Sequence, residues 1–224
     1  KDLGEAITSD AEALTARVIV NRIWQHHFGA GLVRTVSNFG VQGEVPSHPD
    51  LLDRLAHEFI LHGWSVKWLH RQIVLSSAYR QSSAGRGLPQ RLDPENRLLW
   101  RMQRRRLDVE MWRDAMLAVS GNLDTRMGGP SQQPSDTESR RRSIYGKVAR
   151  RDLNVMLRLH DFPEPTAHSP RRAVTITPLQ QLYALNAPFP RRQAQALAER
   201  LLQASTAEDV RRSIAGDDVS PRGG

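Results

Sequence analysis

Apolar side chains recur at every third or fourth position through most of this sequence, the spacing that places them on one face of an α-helix. The clearest stripe follows the phrase Ser47-His48-Pro49-Asp50. Its members are Leu51, Leu52, Leu55, Ala56, Phe59 and Ile60. A weak alternation typical of a strand is found over 143–148. The sequence therefore predicts a mainly α fold, an irregular helical bundle with at most one short strand pair.

Further segments carry helical patterns, and their boundaries follow from glycine, proline and capping residues. These segments are 11–28, 66–74, 107–121, 153–159, 177–186 and, after Pro188 and Pro190, about 192–204. Ser47, Ser65 and Thr177 are the predicted N-caps, because a side-chain oxygen at this position accepts a hydrogen bond from a first-turn N–H. The helices on either side of residues 62–65 are predicted to form a hairpin.

The periodicity also divides each predicted helix into faces. Over 11–28, the apolar face consists of Ala16, Ile19, Val20, Ile23, Trp24 and His27. Arg17, Asn21 and Gln25 mark another face of this helix. Over 107–121, the apolar stripe consists of Leu107, Met111, Ala115 and Ala118. We expect the apolar stripes to form the core.

The domain organisation follows from where these patterns begin and stop. Residues 1–10 are predicted to be an N-terminal tail or linker, and 11–204 a single helical domain. Within it, 124–141 has little apolar content and is predicted to be a mobile loop. Residues 205–224 are predicted to be a C-terminal tail. Because the chain begins with Lys1, we expect it to be a piece of a longer protein.

The 224-residue chain has no cysteine, and this absence excludes several kinds of chemistry within it. Disulfides, thiolate zinc sites, iron–sulfur clusters, c-type haem attachment and cysteine nucleophiles all need that side chain. No apolar run approaches the length needed for a membrane span. With 39% hydrophobic and 25% charged residues, the composition is that of a globular domain.

The chain carries a net charge of +8, and only three of its 32 basic residues are lysines. Arginine suits bidentate phosphate contacts, so nucleic-acid binding is one hypothesis. It depends on the run Arg140–Arg142 with Lys147, Arg150 and Arg151. The helix after residue 65 offers few basic side chains to a DNA groove, and a basic composition is also typical of a solvated surface. Nucleic-acid binding is therefore disfavoured.

No complete metal or nucleophile motif is present. His57 and His62 are five residues apart, which separates them by about 140° around a helix, too far for one ion. Neither a Gly-x-Ser-x-Gly elbow nor a glycine-rich phosphate loop occurs. We therefore predict no metal and no cofactor in this chain.

The most suggestive cluster is the charged phrase from Arg105 to Asp114. On a helix, Glu110 would lie between Arg106 and Arg113, with Asp114 one turn further on. Such a group would lock neighbouring helices together, bind an anion, or supply paired acids for acid–base chemistry. The structural role is favoured, because structural ion-pair networks perturb charges as effectively as active sites do. The candidate binding residues are Arg22, Arg106, Glu110, Arg113, Asp114 and Arg172.

Several uncommon phrases occur in a fixed order along the chain. They include Asn21-Arg22-Ile23-Trp24, Phe28-Gly29-x-Gly31-Leu32-Val33, Pro46-Ser47-His48-Pro49, Ser77-Ala78-Tyr79-Arg80-Gln81, Arg105-Arg106-Leu107-Asp108, Asp161-Phe162-Pro163 and Thr177-Pro178-Leu179-Gln180. With them, the chain from about Leu14 to Leu202 resembles the planctomycete-type domain of unknown function fifteen-fifty-three. It departs from that pattern at Asn38, where an aspartate is common, at His160 and near Ser169.

The resemblance implies a C-terminal module of a large exported protein, placed after another uncharacterised domain and often a cytochrome-c-like module. Any haem would belong to that separate module, and the location would be periplasmic or extracellular. The family carries no established activity and so implies no catalytic residue.

The function we expect is that of a non-catalytic helical interaction or structural module in an exported, cytochrome-c-associated multidomain protein. Its partners would be the preceding domain of the same polypeptide or another protein. One alternative is part of an enzyme that acts on an anionic or carbohydrate substrate, since five tryptophans are available to stack on sugar rings. The other is nucleic-acid binding through the arginine clusters.

Overall fold

Helices form about half of the computed structural model, which describes residues 2–9, 11–85 and 87–203. The described residues contain no sheet, so the predicted mainly α fold is confirmed. By internal contacts the chain divides into an N-terminal unit, residues 1–105, and a C-terminal unit, residues 106–224. The single domain predicted over 11–204 stays a prediction, and the tail predicted over 205–224 lies outside the described residues.

The N-terminal unit consists of helices joined by loops, of which the connection over residues 29–48 is the longest. They are α1 (Asp2–Thr8), α2 (Glu12–Phe28), α3 (Pro49–Leu61), α4 (Val66–Leu75), α5 (Ser77–Arg80) and α6 (Leu88–Leu92). Helix α1 lies within the segment predicted to be a tail or linker. The hairpin of α3 and α4 is confirmed, and Ser65 caps α4 by accepting a hydrogen bond of 3.2 Å from the Trp68 N–H. Helix α3 instead begins at Pro49 with His48 as its N-cap, because proline suits the first helical position.

The core of the N-terminal unit is built mainly from the stripes of α2, α3 and α4. Its buried members are Ala16, Val20, Trp24, Phe28, Leu32, Val33, Leu52, Ala56, Phe59, Leu69 and Ile73. Two polar residues are buried with them, although the periodicity put both on another face of α2: Asn21 is fully buried and Gln25 is 9% exposed. Asn21 is buried because the loop after α2 supplies a backbone partner for its amide.

Asn21 pairs with the backbone of one residue in that loop. Its side-chain oxygen accepts a hydrogen bond of 2.9 Å from the Val33 N–H, and its amide donates one of 2.9 Å to the Val33 carbonyl. Gly31 lies against this pair, and a Cβ added there would be 2.5 Å from the Val33 oxygen and 2.8 Å from the Asn21 amide. Only glycine therefore fits at this position.

Two histidines of the N-terminal unit are joined by a short contact, 2.6 Å between Nε2 of His27 and Nδ1 of His70. Burial lowers the pKa of His27, and the nearby His70, Arg105 and His26 lower it further. The folded state therefore disfavours the protonated form of His27.

We expect His27→Gln to make the free energy of unfolding less dependent on pH in the acid range. The stabilisation linked to neutral His27 is present above its ordinary pKa of 6.5 and is lost as the pH falls toward the lower pKa of the folded state. Urea denaturation at about pH 5 and about pH 7 measures the difference. The exposed His57, replaced in the same way, should change the pH dependence little. An unaltered pH dependence in His27→Gln would contradict the prediction.

In its described residues, 106–203, the C-terminal unit has fewer helices than the N-terminal unit. Its elements are α7 (Val109–Val119), a 3-10 turn (Ser143–Tyr145), α8 (Val155–Leu159), α9 (Pro178–Asn186) and α10 (Pro188–Leu202). The capping box predicted to start at Thr177 is present. Helix α10 begins earlier than predicted and contains both prolines in its first turn, where a missing N–H costs no helical hydrogen bond. Within the described residues, no helix has the length and apolar character of a membrane span.

Residues 143–148 do not form the strand that their alternation indicated. Ser143 donates to the Asp114 carboxylate from its N–H at 2.8 Å and from its hydroxyl at 2.7 Å, and these bonds hold the segment in the 3-10 turn. Isolated bridges join Asp124 to Arg141 and Gln132 to Gly146. The mobility predicted for 124–141 stays a prediction.

The buried face of α7 differs from the predicted one. Leu107 and Met111 are 51% and 46% exposed, whereas the buried positions of the helix are Val109, Arg113 and Leu117. The buried stripe thus contains an arginine in its centre. A pattern built from apolar residues alone missed this face, because Arg113 is buried by its hydrogen bonds.

Candidate functional site

A cavity of about 330 Å³ lies within the C-terminal unit, beside the beginning of α7. Its apolar lining comes from Leu107, Val109, Trp112, Ala173, Val174, Ile176 and Ala184. Its polar lining comes from Arg106, Asp108, His160, Asp161, Arg172, Gln180 and Gln181. Two of the predicted site residues, Arg106 and Arg172, therefore meet at one place.

Arg172 forms a bidentate ion pair with Glu110 in the first turn of α7. Its two terminal nitrogens lie 2.7 and 2.8 Å from the Glu110 carboxylate oxygens. Burial by itself would raise the pKa of Glu110, but the hydrogen bonds from Arg172 and from its own backbone N–H outweigh burial, so the pKa is lowered. Glu110 is therefore ionised and paired with Arg172, and not with Arg106 or Arg113 as the helical spacing predicted.

Arg106 lies before the first residue of α7, so it does not stack above Glu110. Its Nη1 donates to the side-chain oxygen of Gln180 at 2.8 Å and to the Thr175 carbonyl. Gln180 is 4% exposed and donates in turn to the Leu159 carbonyl at 2.9 Å. These bonds connect the segment before α7 with the end of α8 and the first turn of α9.

Asp161 holds the segment that precedes α9. Its carboxylate accepts hydrogen bonds of 2.9 Å from the Thr175 N–H and 2.7 Å from the Thr175 hydroxyl. Burial raises the pKa of Asp161, but the bonds from Thr175 lower it by more, so the net shift is downward. Its backbone has a positive φ of 61°, which is uncommon for a residue with a side chain.

An aromatic stack forms one wall of the cavity. The rings of Trp112 and His160 are stacked with centroids 5.6 Å apart, and the Tyr183 ring meets His160 edge-on at 5.2 Å. Nδ1 of His160 lies 2.8 Å from the Met156 carbonyl oxygen. Since a carbonyl can only accept, Nδ1 carries the proton.

Arg113 is buried and donates hydrogen bonds to backbone carbonyls of the connection between α7 and the 3-10 turn. Its guanidinium donates to the carbonyls of Pro134 at 3.1 Å, Ser139 at 2.7 Å and Arg141 at 2.8 Å. Its carbon Cζ lies 4.8 Å from the Phe189 ring centroid. Arg113 therefore stabilises this connection and is not a ligand-binding group.

The other predicted residues are distributed differently. Asp114 accepts from Ser143, as described for the 3-10 turn, so Glu110 and Asp114 have separate partners. Arg141, counted in the basic run, is 8% exposed and donates to the carbonyls of Gly128 and Pro130. Arg22 is exposed on α2 of the N-terminal unit. Its role as a binding residue stays a prediction.

Residue patterns alone did not mark His160, Asp161, Thr175 or Gln180 as site residues. For three of them the available signal was the family resemblance. Asp161 and Gln180 belong to the phrases that carry it, and His160 is one of the positions that depart from the family pattern. No three metal-ligating side chains come together in the part of the chain that the structure describes.

Comparison with protein-family models tests the family resemblance that the sequence phrases indicated. The model of a family described as PSD1, Protein of unknown function (DUF1553), matches residues 1–218. The chain belongs to this family. No curated protein and no solved structure gives a significant match. Membership in PSD1 confirms the resemblance and assigns no activity to the cavity, whose function must be argued from its geometry.

Proposed function

We propose that this chain is a non-catalytic interaction module of a multidomain protein, and that its C-terminal unit docks onto the domain that precedes it in the longer polypeptide. The partner surface would be apolar and edged by carboxylates. As the family resemblance implies, the whole protein would be exported to the periplasm or the cell exterior.

The observation that carries the proposal is that helix α9 buries a polar residue and exposes its leucines. Gln180 is its buried residue at 4% exposed, while Leu179, Leu182 and Leu185 are 60%, 54% and 73% exposed. The leucines are spaced by three residues and therefore share one side of the helix. Burial of apolar area stabilises by roughly 25 cal/mol per Å², so a helix side of this kind favours association. We call these three leucines the α9 leucine face.

Charge also supports an acidic partner. The segments before and after α9 carry the exposed arginines Arg171 and Arg191. Complementary carboxylates on the partner would speed the encounter and select its orientation. The acids in and beside the cavity support the non-catalytic part of the proposal, because Glu110 and Asp161 are each bonded to a neighbouring residue, Arg172 and Thr175.

The test is binding between this chain and the preceding domain, produced as separate polypeptides and measured by isothermal titration calorimetry. We expect the double variant Leu182→Asp with Leu185→Asp to weaken binding by about tenfold or more, because it puts two charges into an apolar contact. Leu61→Asp is the matched control, since Leu61 is 65% exposed at the end of α3 in the other unit. Absence of binding by the wild type, or equal binding by the double variant, would rule the proposal out.

A further inference from the structure

We infer that the cavity beside α7 binds a free α-amino acid with an apolar side chain, with the ligand carboxylate on Arg106 and the ligand ammonium on Asp108. This site goes beyond the proposed docking function and uses another side of α9. Gln180, Gln181 and Ala184 of α9 line the cavity, and none of them belongs to the α9 leucine face.

The ligand carboxylate would bind the edge of the Arg106 guanidinium that makes no hydrogen bond within the described residues. Only Nη1 of this guanidinium is bonded to Gln180 and Thr175. Within the described part of the chain, its Nε and Nη2 have no hydrogen-bond partner, so one edge of the planar fork is available. That edge presents two parallel N–H groups, the geometry that matches a carboxylate.

The group for the ligand ammonium is the carboxylate of Asp108. Asp108 is the N-cap of α7 but makes no side-chain capping bond. Among the described residues, Asp108 forms an ion pair with Arg172 alone, at 4.0 Å, and both terminal nitrogens of Arg172 are already bonded to Glu110. The Asp108 charge is therefore only weakly compensated and is available to a cation.

The walls select an apolar body for the ligand. Val109 is 3% exposed, and Trp112 is partly buried beside it with its ring stacked on His160. A volume of about 330 Å³ is at the small end of the range for ligand pockets, roughly 300–1,000 Å³, so the ligand is a small molecule and not a polymer segment.

The charges that line the cavity favour a zwitterionic ligand over a ligand that carries a single charge. A plain anion on Arg106 would also meet the carboxylates of Asp108 and Asp161, and a plain amine on Asp108 would meet the guanidiniums of Arg106 and Arg172. Because like charges in a half-dry site repel strongly, each single ion gains less than it would in an oppositely charged pocket. A zwitterion places each of its charges against the opposite one.

The test compares L-phenylalanine and L-leucine with two analogues of phenylalanine that each lack one charge, 3-phenylpropanoate and 2-phenylethylamine, by isothermal titration calorimetry on the whole chain. We expect both amino acids to bind, and phenylalanine to bind at least about tenfold more tightly than either analogue, since each analogue lacks one of the two hydrogen-bonded charges. Absence of binding by both amino acids overturns the inference. Equal or tighter binding of either analogue overturns it as well.

The variant Asp108→Asn assigns the ammonium site. Asparagine is as good an N-cap as aspartate, so α7 should remain folded. We expect phenylalanine to bind about tenfold more weakly to this variant, with 3-phenylpropanoate binding unchanged or stronger. The exposed Asp152→Asn is the matched control and should leave both affinities unchanged. An unchanged phenylalanine affinity in Asp108→Asn would overturn the assignment. These measurements need no partner domain, so their failure is distinguishable from failure of the docking proposal.

Discussion

Replacement of Arg113 by methionine is expected to lower the free energy of unfolding of the C-terminal unit by about 4 kcal/mol, because each buried carbonyl left without a donor costs roughly 1–3 kcal/mol. Arg113 is 1% exposed and donates to three backbone carbonyls, those of Pro134, Ser139 and Arg141. Methionine is of similar length and fills much of the space, so the variant mainly removes the hydrogen bonds.

Burial lowers the pKa of Arg113, and the negative charge of Asp114, 3.7 Å away, opposes that shift. The guanidinium nevertheless stays charged, because the ordinary pKa of arginine is far above neutrality. Lysine is expected to rescue only part of the stability, since one ammonium cannot reproduce the planar fork that reaches three carbonyls. Arg113→Lys should therefore lie between the wild type and Arg113→Met.

Urea denaturation followed by circular dichroism measures the loss, and hydrogen exchange over residues 132–146 locates it. Arg126→Met is the matched control, because the Arg126 side chain is 84% exposed and pairs with Asp124 at the surface. Such an exposed pair contributes roughly 0–1 kcal/mol. Equal losses for Arg113→Met and Arg126→Met, or unaltered exchange over 132–146 in Arg113→Met, would show that the buried fork does not support this connection.

The wrong placement of Asn21 on a second face of α2 and the wrong buried face of α7 have one cause. Helical spacing identifies which residues lie on the same side of α2 or α7, but burial of a polar residue depends on a partner from elsewhere in the chain. For Arg113 the partners are carbonyls of a connection with little apolar content; for Asn21 they are the two backbone groups of Val33. The stripe of α3 was predicted correctly, because Leu52, Ala56 and Phe59 are apolar and local spacing alone decides their burial.

The candidate site was predicted in part for the same reason. Arg106 and Arg172 do line one cavity, but the expected partner of Glu110 was a neighbour on its own helix. The actual partner, Arg172, is 62 residues away in sequence, and no local pattern specifies a pair of that separation. The caps at Ser65 and Thr177 were predictable, since donor and acceptor lie within one turn.

The second large effect is expected from Asn21→Asp, which should lower the free energy of unfolding of the N-terminal unit by about 3 kcal/mol or more at neutral pH. The substitution keeps the shape of the side chain but replaces the amide donor with an oxygen that faces the Val33 carbonyl. It also puts a negative charge where Asn21 is fully buried. Loss of one buried partner costs roughly 1–3 kcal/mol, and a buried unpaired charge adds to this.

Asn38→Asp is the matched control, because it makes the same chemical change at an exposed loop position. The Asn38 amide donates to the Gln42 carbonyl at 3.1 Å, in contact with solvent, so water can replace the lost donor. We expect a change of less than about 1 kcal/mol for this variant. Urea denaturation of both variants at neutral pH gives the comparison, and similar losses would contradict a special role for Asn21.

The pH dependence of the same variant distinguishes the lost donor from a simple loss of packing. Burial and the facing Val33 oxygen should raise the folded-state pKa of the new carboxyl above its unfolded value of about 3.9. Below both values the carboxyl is protonated and can donate to the Val33 carbonyl, as the amide does. The deficit relative to the wild type should therefore be smallest in acid and should grow as the pH rises through the unfolded and then the folded pKa. Asn21→Leu cannot donate a hydrogen bond at any pH, so its loss of stability should not vary with pH in this way. If the loss in Asn21→Asp is also independent of pH, Asn21 stabilises the fold by packing and not by its pairing with Val33.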